Sequence, residues 1–511
     1  MLQAEWPTSG RPEIEDRRNS RYRQAKATKR GGTGVWKSEP LVVPSKPGNS
    51  RHEDSVEGRG GRGDEPSEGN MARTPSLGPV STKQARIAEL AKQAPLLSFT
   101  TLAHHIDERW LFEAFQRTRR DGATGVDGQT SADYATDLRD NLRRLLDRAK
   151  SGTYRAPPVR RAYIPKGTGD ETRPIGIPTF EDKVLQRAVA MVLEPVYEQD
   201  FYDCSYGFRP GRSAHQALEA LWRQLTTLGG GWVLEVDIRK FFDTLDHARL
   251  REFLQRRIRD GVLLRLIGKW LKAGVLEGSV WTTPDEGTPQ GGVISPLLAN
   301  VYLHYVLDEW FEREVKPRLS GQAFLIRYAD DFVIGFAHES DARRVLEVLP
   351  KRFAKYGLTL HPTKTRLVPF QRPSAPPDSG RAGPKPGTFD LLGFTHYWGR
   401  SRRGGWTVQR RTSSSRFSRA ITKIAQWCRR HRHLPLAEQH QVLSQKLRGH
   451  DAYYGITGNI RALSRLRHVV RRVWRKWLAR RRAAPLPWHH FGRMVARLAL
   501  PPPRVVHSAL T

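Results

Sequence analysis

Short apolar runs interrupted by acids form the clearest pattern along the chain. The runs 324–328 and 332–336 are apolar and rich in strand-forming residues, and Asp330 and Asp331 lie between them. Such runs favour strands and a short break favours a tight turn, so the pattern predicts a β-hairpin with two adjacent carboxylates at or beside its turn. Another apolar run, earlier in the chain, ends in Asp237.

Apolar residues with helical spacing predict helices in several other parts of the chain. These stretches are 82–120, 131–150, the segment that follows Thr179, 342–356 and 461–482. Thr179 is predicted to cap its helix, since a Thr followed three residues later by an acid is typical of a helix start.

Three further stretches carry strand or turn signals. Two β-prone runs around a Gly-containing turn predict a second hairpin within 159–178. A Gly/Pro loop over 287–294 leads into Ser295, which we expect to be an N-cap, with Pro296 at the first helical position. The apolar segment 389–394 is typical of a short strand.

The charge balance indicates a polyanionic partner. Lys and Arg number 86 against 52 Asp and Glu, a formal net charge of +34. No apolar run approaches the roughly 20 residues of a membrane-spanning helix, so nucleic acid is a better candidate than membrane. The two cysteines lack CxxC spacing, which argues against a disulfide framework or a zinc module and favours a reducing compartment.

The basic excess is greatest in the tail. From residue 391 onward the only acids are Glu438 and Asp451, whereas arginine recurs throughout. The helix predicted over 461–482 has one apolar stripe, formed by Leu463, Leu466, Val470, Val473 and Trp477. A helix face without acids repels itself, so nucleic-acid binding is the favoured role. The candidate residues are Arg461, Arg465, Arg471, Arg472, Arg475 and Lys476.

The adjacent acids imply a bound cation. Two neighbouring carboxylates repel each other, and burying them requires a compensating positive charge. A pair of Mg²⁺ ions roughly 3.5–4 Å apart is the usual arrangement in polymerase sites. We predict that Asp237 supplies the third carboxylate beside Asp330 and Asp331, because a charge at the end of an apolar strand is costly unless it binds something.

Fixed cations and an aromatic ring extend this candidate site. Lys166 and Arg173 lie on the two sides of the second predicted hairpin, where they would suit a nucleotide triphosphate. Phe242, five residues after Asp237, could place its ring over the acids. A Gly/Pro turn carries two arginines, Arg209 and Arg212. A plain loop is one interpretation, and the functional one is a phosphate-contacting turn that makes both arginines RNA-binding candidates.

Several blocks, occurring in one order, resemble the motifs of reverse transcriptases. The sequence Tyr-Ala-Asp-Asp at 328–331, the strand to Asp237 and Gly-Thr-Pro-Gln-Gly-Gly at 287–292 are similar to their palm motifs. The blocks at 164–178 and 206–213 resemble the fingers of group II intron-encoded proteins. The block at 447–455 and the basic helix after it resemble the maturase, or thumb, domain of the same proteins.

The resemblance implies an α+β fold in the shape of a right hand, with fingers, a palm with an antiparallel sheet and a helical thumb. It further implies that two Mg²⁺ ions are held by Asp237, Asp330 and Asp331, with the backbone carbonyl of Ile238 as a further ligand. The residues that the resemblance assigns to the nucleotide are Lys166, Arg173, Phe242 as a gate against a 2′-hydroxyl, Gln290 and Lys364.

The same resemblance divides the chain into segments. The expected order is a disordered N-terminal extension, fingers and palm that begin with a helical extension, a linker, a maturase domain, and a short basic tail without an endonuclease. The corresponding boundaries are 1–80, 81–370 (helical extension 81–155), 371–388, 389–485 and 486–511. Without an endonuclease, insertion into DNA would need a nick made by reverse splicing or by replication.

The function implied is that of an intron-encoded RNA-directed DNA polymerase that also helps its intron to splice. Its partners would be group II intron RNA, an RNA template with a DNA primer, dNTPs and a DNA target, with a homodimer possible and no membrane. The expected location is the bacterial cytoplasm, at the nucleoid when on target DNA. Two alternatives remain open: a related reverse transcriptase used for defence or repair, and a non-catalytic RNA-binding splicing factor.

Overall fold

The computed structural model describes most of the chain after the N-terminal extension. The described residues are 80–165, 172–277, 280–282, 287, 291–373, 386–401, 403–481 and 485–508. The predicted disordered extension therefore lies outside the described residues, except for Val80, which begins the first helix. None of the helices in the described ranges is long and apolar enough to cross a membrane.

Helices and strands are both well represented, as the predicted α+β class requires. The helices are α1 Val80–Gln93, α2 Glu108–Arg117, α3 Ser131–Thr136, α4 Leu138–Ser151, α5 Phe180–Asp200, α6 Ala214–Thr227, α7 His247–Gln255, α8 Gly261–Leu271, α9 Ser295–Leu303, α10 Glu339–Ala354, α11 Ser414–Arg430, α12 Leu436–Tyr454, α13 Ile460–Ala479 and α14 Trp488–Met494. The strands are β1 Val159–Pro165, β2 Thr172–Ile177, β3 Trp232–Val236, β4 Val275–Glu277, β5 Val280–Thr282, β6 Ala323–Tyr328, β7 Asp331–Phe336, β8 Arg366–Pro369, β9 Phe389–Leu391, β10 Phe394–Arg400 and β11 Trp406–Thr412.

The palm sheet has the strand order β6-β7-β3-β8. Strands β6 and β7 form the hairpin predicted from the two apolar runs, paired from Ala323↔Phe336 to Tyr328↔Asp331. Strand β3 pairs antiparallel with both β7 and β8. All four strands of this sheet are therefore antiparallel to their neighbours, as expected for a palm.

The sheet is covered on both faces because successive side chains of a strand point to opposite sides. On one face, Leu234 and Ile334 belong to a large core that includes α1, α2, α5, α7, α8 and α9. On the other face, Val233 and Val333 pack in a second core with α6 and with residues of β9, β10 and β11. Because both of its faces are packed, the sheet is held firmly in place. The candidate acids at one end of the sheet are held with it.

The described residues form two further sheets, one of four strands and one of three. The predicted hairpin within 159–178 is confirmed as β1 and β2, and these strands form a sheet in the order β2-β1-β4-β5. The other sheet has the order β11-β10-β9. The segment 389–394, predicted as a single strand, instead turns at Leu392 and Gly393, so that β9 pairs back onto β10.

The C-terminal helices have a core of their own. Residues of α11, α12, α13 and α14 pack together with Leu500. Strands β9–β11 share a core with the palm sheet instead, although the sequence interpretation places them in a maturase domain that begins at residue 389.

Two details of the helices differ from the predictions, and a third confirms one. The helix predicted over 131–150 is interrupted at Asp137, which separates α3 from α4. Ser295 is the first residue of α9 rather than its N-cap, which is Ile294. By contrast, Thr179 caps α5 as predicted, since its side chain accepts a hydrogen bond from the Asp182 backbone N–H.

The apolar stripe of α13 is rotated relative to the prediction. Leu463, Leu466 and Val470 are buried as predicted, but the stripe continues through Trp474 and Leu478. Val473 and Trp477, which were predicted to complete it, are only partly buried at the edge of the core.

Candidate active site

Strand pairing brings the three candidate acids to one edge of the palm sheet. Val236, the last residue of β3, pairs with Phe332 of β7 in an antiparallel register. Extending this register by one position sets Asp237 opposite Asp331. Asp330 lies in the two-residue turn between β6 and β7, directly before Asp331. Residues almost one hundred positions apart in the chain therefore meet at one end of the sheet.

Burial, followed by mutual repulsion, raises the pKa values of two of these acids. Burial, then the neighbouring Asp330 and Asp237 carboxylates, raise the pKa of Asp331 to about 6. The pKa of Asp330 is also raised, chiefly by burial, with a contribution from Asp237. Asp331 keeps surface accessible to water although protein surrounds it closely, as expected for a carboxylate on the floor of a cleft. The negative charge of the site is therefore not fully compensated by the cations of the chain.

Asp237 has a cationic partner of its own. The Nζ of Lys364 lies 2.8 Å from a carboxylate oxygen of Asp237, and 28% of the Asp237 side chain is exposed. Lys364 also lowers the pKa of Asp331, although less than the neighbouring acids raise it. Within the described residues, no three His, Cys, Asp or Glu side chains form a compact group that could hold a metal ion. The acids are close enough to interact, but Asp237 is turned towards Lys364.

The backbone after Asp237 is held by a second strand-like contact. The Asp237 carbonyl accepts a hydrogen bond from the His361 N–H, and the Arg239 N–H donates to the Thr359 carbonyl. Backbone groups alternate in direction along an extended chain, so the carbonyl of Ile238 points away from the 359–361 segment. The Ile238 carbonyl therefore points towards the side of β3 on which β7 and the other two acids lie.

The predicted nucleotide contacts are only partly within the described residues. Lys166 and Gln290 lie outside them. Arg173 is exposed on β2 opposite Ile164, and its charge acts on Asp330 by lowering the pKa of that carboxyl. The β1–β2 hairpin therefore presents at least one cation to the acid cluster.

Phe242 lies in a short 3₁₀ turn just beyond Asp237. Its half-buried ring contacts the ring of Phe241 edge to face, with 5.2 Å between centroids. Gly287 runs directly against this turn, and a Cβ on Gly287 would lie 2.8 Å from the Phe242 carbonyl and 2.7 Å from that of Asp243. The start of the Gly/Pro loop is therefore fixed beside Phe242, which only a residue without a side chain permits.

Backbone strain is concentrated around the acids. Among the described residues, the non-glycine residues with positive φ are Phe208, Lys240, Ala329 and Leu392. Ala329 precedes Asp330, Lys240 follows Asp237 by three residues, and the Phe208 ring contacts that of Tyr328 at 6.2 Å. Leu392 forms the β9–β10 turn, and its carbonyl accepts a hydrogen bond from Tyr453. Residues held in this region cost about 1–3 kcal/mol each and cluster at functional sites.

One residue near the acids was missed by the sequence reasoning. Arg416, exposed in the first turn of α11, lowers the pKa of Asp331, and its Cγ lies 3.3 Å from the place where a Cβ on Gly393 would be. It reaches the palm from the C-terminal helices, 85 positions after Asp331 (416 − 331). No local sequence signal marks such a contact, because it depends on how two parts of the chain pack.

Comparison with known proteins agrees with this architecture. The chain matches the family model of reverse transcriptase (RNA-dependent DNA polymerase) over residues 164–396 and that of the group II intron maturase-specific domain over residues 417–493. Protein YkfC of Escherichia coli is 38% identical over 287 residues, which are 50% of this chain and 75% of YkfC. The chain belongs to the group II intron-encoded reverse transcriptases.

Two further relatives carry descriptive names. The group II intron-encoded protein LtrA of Lactococcus lactis is 44% identical over 188 residues, which are 35% of this chain and 31% of LtrA. The mitochondrial nuclear intron maturase 2 of Arabidopsis thaliana is 29% identical over 177 residues, which are 27% of this chain and 24% of that protein. The match thus covers three quarters of YkfC but less than a third of LtrA and of the maturase.

In this reverse transcriptase, the two arginines of the fingers turn are engaged within the protein. Arg209 is buried, and its guanidinium donates to the Glu198 carboxylate and to the carbonyls of Tyr202 and Ser205. Arg212 forms an ion pair with Asp203. The burial of Arg209 corrects the expectation of a phosphate contact there, since its donors already have partners.

The maturase-specific domain has a different distribution of arginines. Arg461, Arg471 and Arg472 are exposed on α13, as is Lys476. Three of the predicted contacts of α13 lie over aromatic rings: the exposed Arg465 over Phe417 at 5.5 Å, Arg475 over Trp488 at 4.3 Å and Lys476 over Trp477 at 5.8 Å. Arg475 also donates to the Leu486 carbonyl. The exposed subset forms a basic surface without an acid on its own helix.

Proposed function

We propose that this reverse transcriptase copies intron RNA into DNA at the palm edge formed by Asp237, Asp330 and Asp331. The observation that carries the proposal is the β3–β7 register, which aligns Asp237 with Asp331 at the end of the sheet. Reverse transcriptases work with divalent metal ions, and here we propose two Mg²⁺ ions.

The donor set suits such ions. Magnesium prefers oxygen ligands, and the three carboxylates together with the Ile238 carbonyl are all oxygen donors. The raised pKa values of Asp330 and Asp331 reflect repulsion and burial that a divalent cation would relieve. When bound, the two ions would lower the pKa of the primer 3′-hydroxyl and stabilise the leaving pyrophosphate.

Cations of the chain would bind the nucleotide. Arg173 on β2, with Lys166 beyond the described part of the hairpin, would donate to the triphosphate oxygens. Lys364 would release Asp237 and turn to the phosphates, since the carboxylate then has the ions as partners. The contribution of these residues is alignment and charge compensation rather than covalent chemistry.

Selection of deoxynucleotides would rest on Phe242. Its half-buried ring contacts the ring of Phe241, and its backbone carbonyl lies against Gly287, so the turn that carries the ring is fixed. We propose that the ring occupies the space a 2′-hydroxyl would need. Gln290, in the loop that starts at Gly287, would contact the nucleotide and template.

Binding of intron RNA would use the exposed basic residues of α13. Arg461, Arg471, Arg472 and Lys476 lack ion-pair partners among the described residues. Phosphate contacts of this kind give affinity without sequence specificity, and RNA shape would supply the selection. The same surface would promote splicing, and the DNA target would be a further partner.

The paired substitution Asp330→Asn with Asp331→Asn tests the assignment. Both changes keep the size of the side chains and remove the charges that would bind the ions. We expect primer extension on an RNA template to fall below detection, while binding of intron RNA and splicing stay near wild type. Glu347→Gln, which removes an exposed acid on α10, should leave extension unchanged. Extension by the double variant would contradict the site assignment.

A further inference from the structure

Directly beneath the acids lies an ion pair that is closed to solvent. Arg327, in β6, and Asp308 both have 0% of their side chains exposed. Arg327 Nε donates to one carboxylate oxygen of Asp308 at 2.7 Å, and its Nη2 donates to the other at 2.5 Å. Asp308 belongs to a π-helical segment, His304–Asp308, that continues α9. Such wide turns are rare and often occur at functional sites.

The remaining guanidinium nitrogen reaches the catalytic turn. Arg327 Nη1 donates to the carbonyl of Ala329 at 3.1 Å and to Oδ1 of Asn300 at 2.9 Å. Asn300 in turn donates to the Gly207 carbonyl at 2.7 Å. One buried side chain therefore links α9, its π-helical extension and the fingers turn to the residue that precedes Asp330.

The Ala329–Asp330 turn needs such support. Ala329 has φ +57°, whereas Asp330 is not among the residues with positive φ. A two-residue hairpin turn with positive φ at its first position is the type II′ arrangement, which strongly prefers Gly there. Alanine is sterically strained in this conformation, so other turn geometries compete with it.

The other side of the turn is closed by Gly207. A Cβ on Gly207 would lie 2.4 Å from the Ala329 backbone nitrogen and 2.9 Å from the Tyr328 carbonyl carbon. The fingers turn is bound to β6 as well, because the Tyr206 N–H donates to the Arg327 carbonyl and the Arg327 N–H donates to that of Cys204. The turn is thus held between backbone on one face and the guanidinium on the other.

We propose that the buried Arg327–Asp308 pair is a positioning device that holds the strained Ala329 turn and thereby aims the Asp330 and Asp331 carboxylates at a shared divalent cation. The inference rests on the proposed function, since it gives the pair a purpose only if those acids bind metal. Arg327 touches neither ion nor substrate and acts through the Ala329 carbonyl.

A purely stabilising role explains the arrangement less well. Buried ion pairs often add little net stability, because desolvation offsets their attraction. The guanidinium instead fixes the relative positions of its partners. Its three nitrogens lie in one rigid plane and bind two carboxylate oxygens and one backbone carbonyl at the same time. A lysine could pair with Asp308 but has no such fork.

The test compares Arg327→Lys with the wild type by direct metal binding. Mn²⁺ binding to the full chain is followed by electron paramagnetic resonance, and primer extension is measured against Mg²⁺ concentration. We expect the Mn²⁺ dissociation constant and the half-saturating Mg²⁺ concentration to rise roughly 10- to 100-fold, the effect typical of losing a residue that orients metal ligands. Adding Ala329→Gly should recover most of the affinity, because glycine adopts the turn without strain.

Two controls separate positioning from stability. Arg257→Lys alters a similar buried arginine, which pairs with Asp200 and donates to the carbonyls of Ala91, in the last turn of α1, and Ala94, just after it. It should lower the melting temperature without changing Mn²⁺ affinity. If Arg327→Lys does not fold, the double substitution Arg327→Met with Asp308→Leu removes the pair without leaving a buried charge.

The outcomes are distinct. Mn²⁺ affinity that is unchanged in a folded Arg327 variant, or a weakening that Ala329→Gly does not relieve, would overturn the positioning role while leaving the proposed function intact. A wild-type chain that binds no Mn²⁺ and extends no primer would instead overturn the proposed function itself.

Discussion

At the scale of single residues, the site is defined by charges that are left uncompensated. Asp331 combines access to water with a pKa raised to about 6 by burial and by Asp330 and Asp237. In the unfolded chain its pKa is near the ordinary value of 3.8. The folded protein therefore binds more protons than the unfolded chain between these two values, and this carboxyl lowers stability as the pH rises through that window.

The first prediction is that the Asp331 carboxylate, which the proposed function requires, lowers the thermal stability of the protein. In Asp331→Asn the repulsion is removed, so without divalent ions at pH 7 we expect a melting temperature roughly 2 °C above that of the wild type, the shift that about 1 kcal/mol produces in a large domain. Well below pH 3.8, the ordinary value, the difference should disappear, because Asp331 is then protonated in both the folded and the unfolded chain. Thermal unfolding with EDTA measures it, and a variant less stable than the wild type at pH 7 would contradict the repulsion.

Phe242 gives a second prediction at this scale. Phe242→Val shortens the proposed gate while keeping an apolar side chain, so ribonucleotides should become substrates. We expect the preference for dNTP over rNTP, measured as the ratio of kcat/KM values, to fall by at least about tenfold, the change that about 1.4 kcal/mol produces. Phe241→Leu alters the buried neighbouring ring and should leave the ratio nearly unchanged. An unaltered ratio in Phe242→Val would remove Phe242 from the selection of the sugar.

At the scale of elements, the sequence predicted those structures that depend on local pattern. The β6–β7 hairpin follows from strand-forming runs around a short break, and the Thr179 cap from its spacing to Asp182. The turn at Leu392 was missed because its positive φ is imposed by packing against Tyr453 and Tyr454, which lie about 60 positions later. The Arg327–Asp308 pair was missed for the same reason, although a lone arginine within an apolar strand was a signal of a buried partner.

The corrected face of α13 gives a prediction for that element. Trp474 is 1% exposed and its indole N–H donates to Gln439, whereas Trp477 is at the edge of the core between Arg429 and Arg480. Trp474→Ala should therefore cost about 3–5 kcal/mol, as large core truncations do. Trp477→Ala should cost clearly less. Chemical denaturation of both variants compares them, and equal destabilisation would mean that the stripe follows the sequence prediction after all.

At the scale of the whole molecule, the distribution of charge should determine where the chain binds nucleic acid. The net charge of +34 is spread over the molecule, but arginines in the palm and fingers often have acid or carbonyl partners, as Arg209 and Arg327 do. On α13 the exposed cations have no acid on their helix. Binding of RNA should consequently depend steeply on salt and should depend most on this helix.

This yields a prediction for RNA binding. Arg471→Gln with Arg472→Gln should reduce the slope of log affinity against log salt by roughly 0.7–0.9 for each phosphate that is no longer neutralised. Arg343→Gln with Arg344→Gln, on α10, removes equal charge from another surface and serves as the control. Titrations of intron RNA at several salt concentrations give the slopes. Equal slopes for the two double variants would mean that α13 has no special role in RNA binding.

The central claim is that three acids from separate segments act as one metal-binding polymerase centre. Asp330 and Asp331 are adjacent in the sequence, whereas Asp237 reaches them only through the folding of the chain. Primer extension on an RNA template, compared for Asp237→Asn and Asp243→Asn at several Mg²⁺ concentrations, tests this directly. The account predicts that Asp237→Asn abolishes extension at every Mg²⁺ concentration, whereas Asp243→Asn, six residues further along, retains it. Extension by Asp237→Asn at the wild-type rate would contradict the account.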